Sequence, residues 1–162
     1  MTEQANILYE KTIGTPVGPL TIAADRFGIC RVAFGAPVLE PDSRAEPLPF
    51  GTEEQLAAYF AGALRIFSLP LSLTGSPFSL RVWHACLEIP YGQTLTYGEL
   101  ARRIGAPGAA RAVGGALHRN PAPILIPCHR VVGAGGALTG FAGGVGIKER
   151  LLRLERSVLS GD

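Results

Sequence analysis

Short β-rich runs at residues 7–13, 18–24 and 29–34 are separated by Thr-Pro-Val-Gly and Asp-Arg-Phe-Gly turns, a pattern that predicts three strands in an antiparallel meander. Residues 36–51 are rich in proline and acid and read as an irregular loop. Thr52-x-x-Gln55 has the form of a capping box. Leu56, Tyr59, Phe60 and Leu64 follow at helical spacing, which predicts about three turns of helix. Residues 66–73 read as a further strand, placed at an edge by Pro70.

The second half changes period. Ser76-Pro77 is an N-cap followed by proline at the first helical position, and Phe78, Val82, Cys86 and Ile89 recur every three or four residues until Pro90. Cys86 and Trp83 are expected in the core of this helix packing. Thr96 and Glu99 form a second capping box, opening a helix to about Ile104 with Leu100 and Ile104 inward. Gly105-Ala-Pro-Gly108 is a tight turn before a helix over residues 109–117, so the pair reads as a helix-turn-helix. A glycine-rich loop spans residues 133–146. A last helix starts near Ile147, with Ile147, Leu151, Leu154 and Val158 inward and Glu155 at the border of that face. The fold class expected is α+β: an antiparallel-sheet module over 1–75 and a mainly helical module with a helix-turn-helix over 76–162.

Composition narrows the class. Of 162 residues, 47% are hydrophobic and 17% charged, which excludes a disordered polar tract, and no run approaches the ~18 apolar residues of a membrane span. The first fifteen residues carry no basic-then-apolar export signal, so a cytoplasmic protein with no membrane partner is expected. Three widely spaced cysteines without C-x-x-C disfavour a disulfide framework and a zinc site. Residues 1–80 hold five Lys/Arg and eight Asp/Glu, a net of −3; residues 81–162 hold ten and five, a net of +5. Thirteen of the fifteen basic residues are Arg, which pairs bidentately with phosphate, so the second half suits a polyanion as well as it suits solvent.

The helix over 109–117 carries Gly114 and Gly115 together, at roughly 2 kcal/mol relative to alanine. Something needs a surface without side chains there: either a neighbouring helix, or a sugar-phosphate backbone with Arg111 and Arg119 reaching out. Candidate chemistry follows in Asn120-Pro-Ala-Pro-Ile-Leu-Ile-Pro-Cys-His-Arg130. Three prolines predict an extended, rigidly held segment. Cys128 is either an inert buried thiol or a nucleophile whose pKa a neighbouring imidazole brings towards working pH. His129 is the candidate, although adjacent side chains on extended backbone point to opposite faces. Glu155 is a solvated edge, a surface ion pair, or the carboxylate that holds His129.

Ile126-Pro-Cys-His-Arg-Val-Val132 resembles the active-site signature of the O6-alkylguanine-DNA alkyltransferases, also called methylated-DNA-protein-cysteine methyltransferases. The resemblance extends through Pro77-Phe-Ser-Leu-Arg-Val-Trp83, Ile89-Pro-Tyr-Gly-Gln-Thr94, Tyr97-Gly-Glu-Leu-Ala101 and Ala109-Ala-Arg-Ala-Val-Gly-Gly115, and covers nearly the whole chain. It implies that Cys128 takes the alkyl group from guanine O6 and keeps it, in a single turnover without cofactor or metal. His129 then relays the thiol proton through a water, Glu155 orients the histidine, Asn120 braces the site, and Tyr97 donates to guanine N3. Arg111 fills the stack when the damaged nucleotide flips out of double-stranded DNA, while Ala110, Ala112, Gly114, Gly115 and Arg119 belong to a minor-groove surface. Tyr97, Val131, Phe141 and Ala142 line the pocket, with Phe141 where the family usually has tyrosine. A monomer is expected. The alternatives are a non-transferring protein that binds alkylated DNA and recruits other repair factors, which would lack the cysteine, and a cysteine hydrolase, which would turn over.

Overall fold

The computed structural model describes residues 6–36 and 47–161, and the chain divides into two compact units, Met1–Thr74 and Gly75–Asp162. In the first unit β1 (Tyr9–Ile13), β2 (Leu20–Ala24) and β3 (Ile29–Phe34) form an antiparallel sheet in that order, with Tyr9 opposite Ala24 and Leu20 opposite Phe34. The central strand is buried along its whole length. The β2–β3 turn is held by the Asp25 carboxylate, which accepts from the amides of Phe27 (2.7 Å) and Gly28 (3.0 Å). Gly28 has no room for a side chain: a Cβ there would lie 2.5 Å from the Pro70 carbonyl oxygen. That approach lets Ile29 donate to Pro70 and Ser72 donate to Ile29, both at 2.8 Å.

Residues 66–73 therefore contribute one parallel bridge, Ile29 to Leu71, rather than the expected edge strand. Proline at 70 has no amide to extend the ladder. The expected loop at 36–51 lies mostly outside the described residues; Pro49–Gly51 is a 3-10 turn leading into α1 (Thr52–Phe60). The capping box expected at its start does not form. Gly51 is the N-cap, the Thr52 hydroxyl donates to the Pro49 carbonyl at 2.6 Å, and the Gln55 amide pairs instead with Ser68. Leu56 and Tyr59 are buried, Tyr59 with its ring 5.3 Å from that of Phe67, and Lys11 of β1 pairs with Glu53 at 3.1 Å.

The second unit opens with α2 (Pro77–Leu87), whose Ser76 cap accepts from the Ser79 amide as the sequence predicts. α3 (Tyr97–Arg103) has both halves of the Thr96/Glu99 capping box, and α4 (Ala110–His118) follows a short glycine-containing turn. α2, α3 and α4 pack together over Val82, Trp83, Cys86, Leu100, Val113, Ala116 and Leu117. Trp83 seals the packing by donating its indole N–H to the Ala116 carbonyl at 2.9 Å. Two short strands not legible in the sequence, β4 (Leu95–Thr96) and β5 (Val131–Val132), pair in parallel, Leu95 with Val131 and Thr96 with Val132.

The segment between α4 and β5 is not extended. It doubles back at Ile124, which has φ +75°, bridges Pro123 to Ile126, and closes with a 3-10 turn at Cys128–Arg130. The φ that proline enforces suits turns as well as extended chain. α5 (Val145–Ser160) starts earlier than expected and buries Lys148, Leu151, Leu152 and Glu155, a stripe displaced from the one its apolar residues suggest.

Candidate active site

Residues 122–132 are all buried, so the Cys-His pair is held inside the fold by its own backbone. In a 3-10 turn successive side chains diverge by about 120°, which removes the opposite-face geometry expected of an extended pair. Asn120, at the end of α4, makes the brace: its Oδ1 accepts from the Ala122 amide and its Nδ2 donates to the Ile126 carbonyl, both at 2.9 Å.

Burial pushes the Cys128 thiol up to about 11, against the opposing pull of the Asn120 hydrogen bond and the Lys148 charge. The expected lowering towards working pH is thus absent, and the sulfur rests as a thiol. Nucleophilicity has to come from a base that takes its proton during the reaction.

His129 is built to be that base. Its side chain is fully buried, and its Nε2 donates to Glu155 Oε2 at 2.6 Å. Glu155 is itself fully buried and anionic: burial would raise its pKa, but the hydrogen bonds from His129 and Arg130 and the Arg130 charge outweigh that and hold it well below the usual carboxylate range. Arg130 binds it in a fork, Nε to Oε1 at 2.8 Å and Nη2 to Oε2 at 3.1 Å, and the Gly92 amide adds a bond at 3.0 Å. A carboxylate at Nε2 fixes the proton there and makes Nδ1 the basic nitrogen. Nδ1 has no partner among the described residues. Burial lowers the His129 pKa more than Glu155 raises it, so the imidazole is neutral and able to accept.

A second set surrounds Tyr97, the first residue of α3. Its hydroxyl meets Thr139 of the glycine-rich loop, and Lys148 lies 5.8 Å from its ring centre. Lys148 is fully buried, and its Nζ donates to the carbonyls of Val131 (2.6 Å) and Thr139 (3.0 Å), tying the loop to the strand that follows the nucleophile. Burial depresses its pKa while the nearby Cys128 acts to raise it. Val131 is buried, Phe141 half-buried and Ala142 exposed.

On α4 and at its C-terminal end, Arg111, Ala112 and Arg119 are exposed and Ala110, Gly114 and Gly115 half-buried. No tightly packed helix explains the glycines. A Cβ on Gly114 would sit 3.8 Å from the Tyr97 ring, an ordinary contact, and one on Gly115 would meet only the mobile end of Arg119 at 3.4 Å.

The structure therefore brings Cys128, Asn120, His129 and Glu155 together, joins Tyr97 to Val131 through Lys148 and Thr139, and leaves the α4 residues on an open surface. Arg130 and Lys148 escaped the sequence reading. For Lys148 the signal lay in charge on a buried stripe: Lys148, Leu151, Leu152 and Glu155 follow an i, i+3, i+4, i+7 pattern. Among the described residues no cluster of three His, Cys, Asp or Glu is placed to hold a metal ion.

Two family models match: 6-O-methylguanine DNA methyltransferase, DNA binding domain, over residues 77–157, and 6-O-methylguanine DNA methyltransferase, ribonuclease-like domain, over residues 8–73. The methylated-DNA–protein-cysteine methyltransferase of Methanosarcina acetivorans is 50% identical over 155 residues, 93% of this chain and 99% of that protein. The protein of the same name from Mycobacterium bovis is 47% identical over 160 residues, 96% of this chain and 97% of that one. Among solved structures, Mycobacterium tuberculosis OGT in complex with DNA superposes with a TM-score of 0.87 at 47% identity, covering 93% of this chain and 94% of that one.

Proposed function

The chain belongs to the methylated-DNA–protein-cysteine methyltransferase family, and on that premise we propose that Cys128 removes the alkyl group from O6-alkylguanine in double-stranded DNA and retains it as a thioether. Its activity is DNA repair by alkyl transfer, and DNA is its partner. The observation that carries the finer reading is the buried His129–Glu155–Arg130 chain next to a thiol that is protonated at rest.

The thiol proton leaves through an intervening water to His129 Nδ1, and Glu155, fixed by Arg130 and Gly92, stabilises the imidazolium. Sγ displaces guanine at the alkyl carbon: the S–C bond forms as the C–O6 bond breaks, and guanine departs with a hydrogen bond from Tyr97 to N3. Overall the proton lost by Cys128 ends on guanine. A thioether has no leaving group, so the protein is spent. The damaged nucleotide reaches this interior sulfur by flipping out, with Arg111 taking its place in the stack and the side-chain-poor face of Ala110, Ala112, Gly114 and Gly115 lying against the minor groove. Arg119 contacts phosphate, and Val131, Phe141 and Ala142 border the flipped base. The protein acts as a monomer in the cytoplasm; no helix among the described residues is long and apolar enough to cross a membrane.

The test is to mix the protein with excess O6-methylguanine duplex and follow repaired base and intact protein mass. Repair should stop at one equivalent, with one methyl gained and mapped to Cys128. Continued turnover would identify a hydrolase, and binding without a mass gain a recruiter.

A further inference from the structure

Tyr97 and Thr139, distant in sequence, hold each other through two contacts. The Tyr97 O–H donates to the Thr139 carbonyl at 3.3 Å, and the Thr139 hydroxyl donates to the Tyr97 oxygen at 3.3 Å. Both are long for O–H···O bonds and therefore weak and readily exchanged. The Thr139 carbonyl has a second donor, Lys148 Nζ at 3.0 Å. Tyr97 can thus withdraw its proton from Thr139 without leaving that carbonyl unpaired.

The framework behind the two residues is fixed. Tyr97 directly follows β4, which pairs with β5, and β5 directly follows the Cys128 turn. Lys148 holds Val131 of β5 and Thr139 at once. The phenol and the nucleophile therefore share one backbone frame, and Thr139 is the loop residue that touches the phenol's oxygen.

We infer that Thr139 is a positioning residue for the Tyr97 hydroxyl: its carbonyl holds the phenolic proton until a base enters, and its hydroxyl then stays on the phenolic oxygen while Tyr97 turns its proton to the guanine. A donor on the oxygen polarises the O–H it carries, which strengthens the bond to the departing base. Nothing covalent changes at Thr139; one hydrogen bond is exchanged and one kept. The inference rests on the reading of Tyr97 as the donor to guanine N3.

Thr139→Val keeps the branched shape and the carbonyl that Lys148 holds, and removes only the hydroxyl. In single-turnover methyl transfer from an O6-methylguanine duplex at saturating protein, it should slow transfer about three- to tenfold, the range of one neutral hydrogen bond, with unchanged duplex affinity and melting temperature. Thr139→Ser should recover most of the rate. In a Tyr97→Phe background Thr139→Val should have no further effect, because there is no phenolic oxygen left to hold. A wild-type rate in Thr139→Val, no recovery with Ser, or the same slowing in both backgrounds would overturn the inference while leaving Tyr97 its role. A Tyr97→Phe protein that transfers as fast as wild type would instead overturn the reading of Tyr97, and the inference with it.

Discussion

His129 and Glu155 are joined Nε2 to Oε2 at 2.6 Å with neither side chain exposed. Because Arg130 and the Gly92 amide also donate to this carboxylate, Glu155 links α5, the turn after α2 and the Cys128 segment in one buried group. Glu155→Gln would remove the charge that Arg130 faces and put an amide N–H₂ among donors. The expected cost is about 3–5 kcal/mol of unfolding free energy, the range for breaking a buried ion pair from one side. Urea denaturation measures it, and a loss below about 1 kcal/mol would mean that Arg130 is satisfied without the carboxylate.

The same pair sets the acid side of the stability profile. The His129 pKa is lowered in the fold, so below the unfolded value of about 6.5 the unfolded chain binds the proton that the folded chain refuses, and stability falls as pH drops. Glu155, whose pKa is also lowered, adds its own loss once pH drops below the ordinary carboxylate range near 4.5. Urea midpoints should therefore decline from about pH 6.5 downward and steepen below about pH 4.5. In His129→Ala the first decline should be reduced; an unaltered profile would show that another group titrates there.

The sheet, the helix starts at Ser76 and Thr96 and the helix-turn-helix were legible because each depends on local chemistry: β-rich runs, caps and glycine turns. The failures were non-local. Thr52 and Gln55 have the residues of a capping box, but Ser68 offers Gln55 a tertiary partner and Pro49 takes the Thr52 hydroxyl. The prolines around Cys128 permitted both extended chain and turn, and the buried surroundings selected the turn. Cys128 and His129 were candidates by residue type and adjacency, Glu155 by its place on the last helix, and Asn120 by resemblance alone. Pattern alone reads α5 by its apolar residues and so overlooks Lys148, whose charge is tolerated in the core only because the carbonyls of Val131 and Thr139 face it.

A thiol near 11 beside a neutral imidazole has a distinctive kinetic signature. If His129 takes the proton, alkylation by the free base O6-benzylguanine should be nearly flat between about pH 7 and 9, where the imidazole is neutral and the thiol intact. In His129→Ala only the small thiolate fraction reacts, so the rate should be lower and climb about tenfold per pH unit across that window. A wild-type rate that climbs the same way would remove His129 from the proton path.

Gly114→Ala separates what the fold needs from what a partner needs. The new methyl would meet the Tyr97 ring at 3.8 Å, so the fold has room, and helix propensity favours alanine by up to about 1 kcal/mol. The melting temperature should stay level or rise, while affinity for a DNA duplex should fall if this face lies against the sugar-phosphate backbone. A destabilised protein would place the requirement inside the fold, and undiminished affinity would move the DNA surface elsewhere.

Arg111 on α4 and Arg119 just past its end are both exposed, and the proposed roles make them fail differently. Arg119→Ala should weaken duplex binding and flatten its log-log salt dependence by about 0.9, the value for one phosphate, with little change in transfer at saturating protein. Arg111→Ala should slow transfer from the duplex far more than reaction with O6-benzylguanine, because only the duplex requires a base to leave the stack and a side chain to fill the gap. Single-turnover rates on the two substrates give the comparison directly. Equal slowing on both would show that Arg111 acts on the site around Cys128 and not on the helix of the DNA.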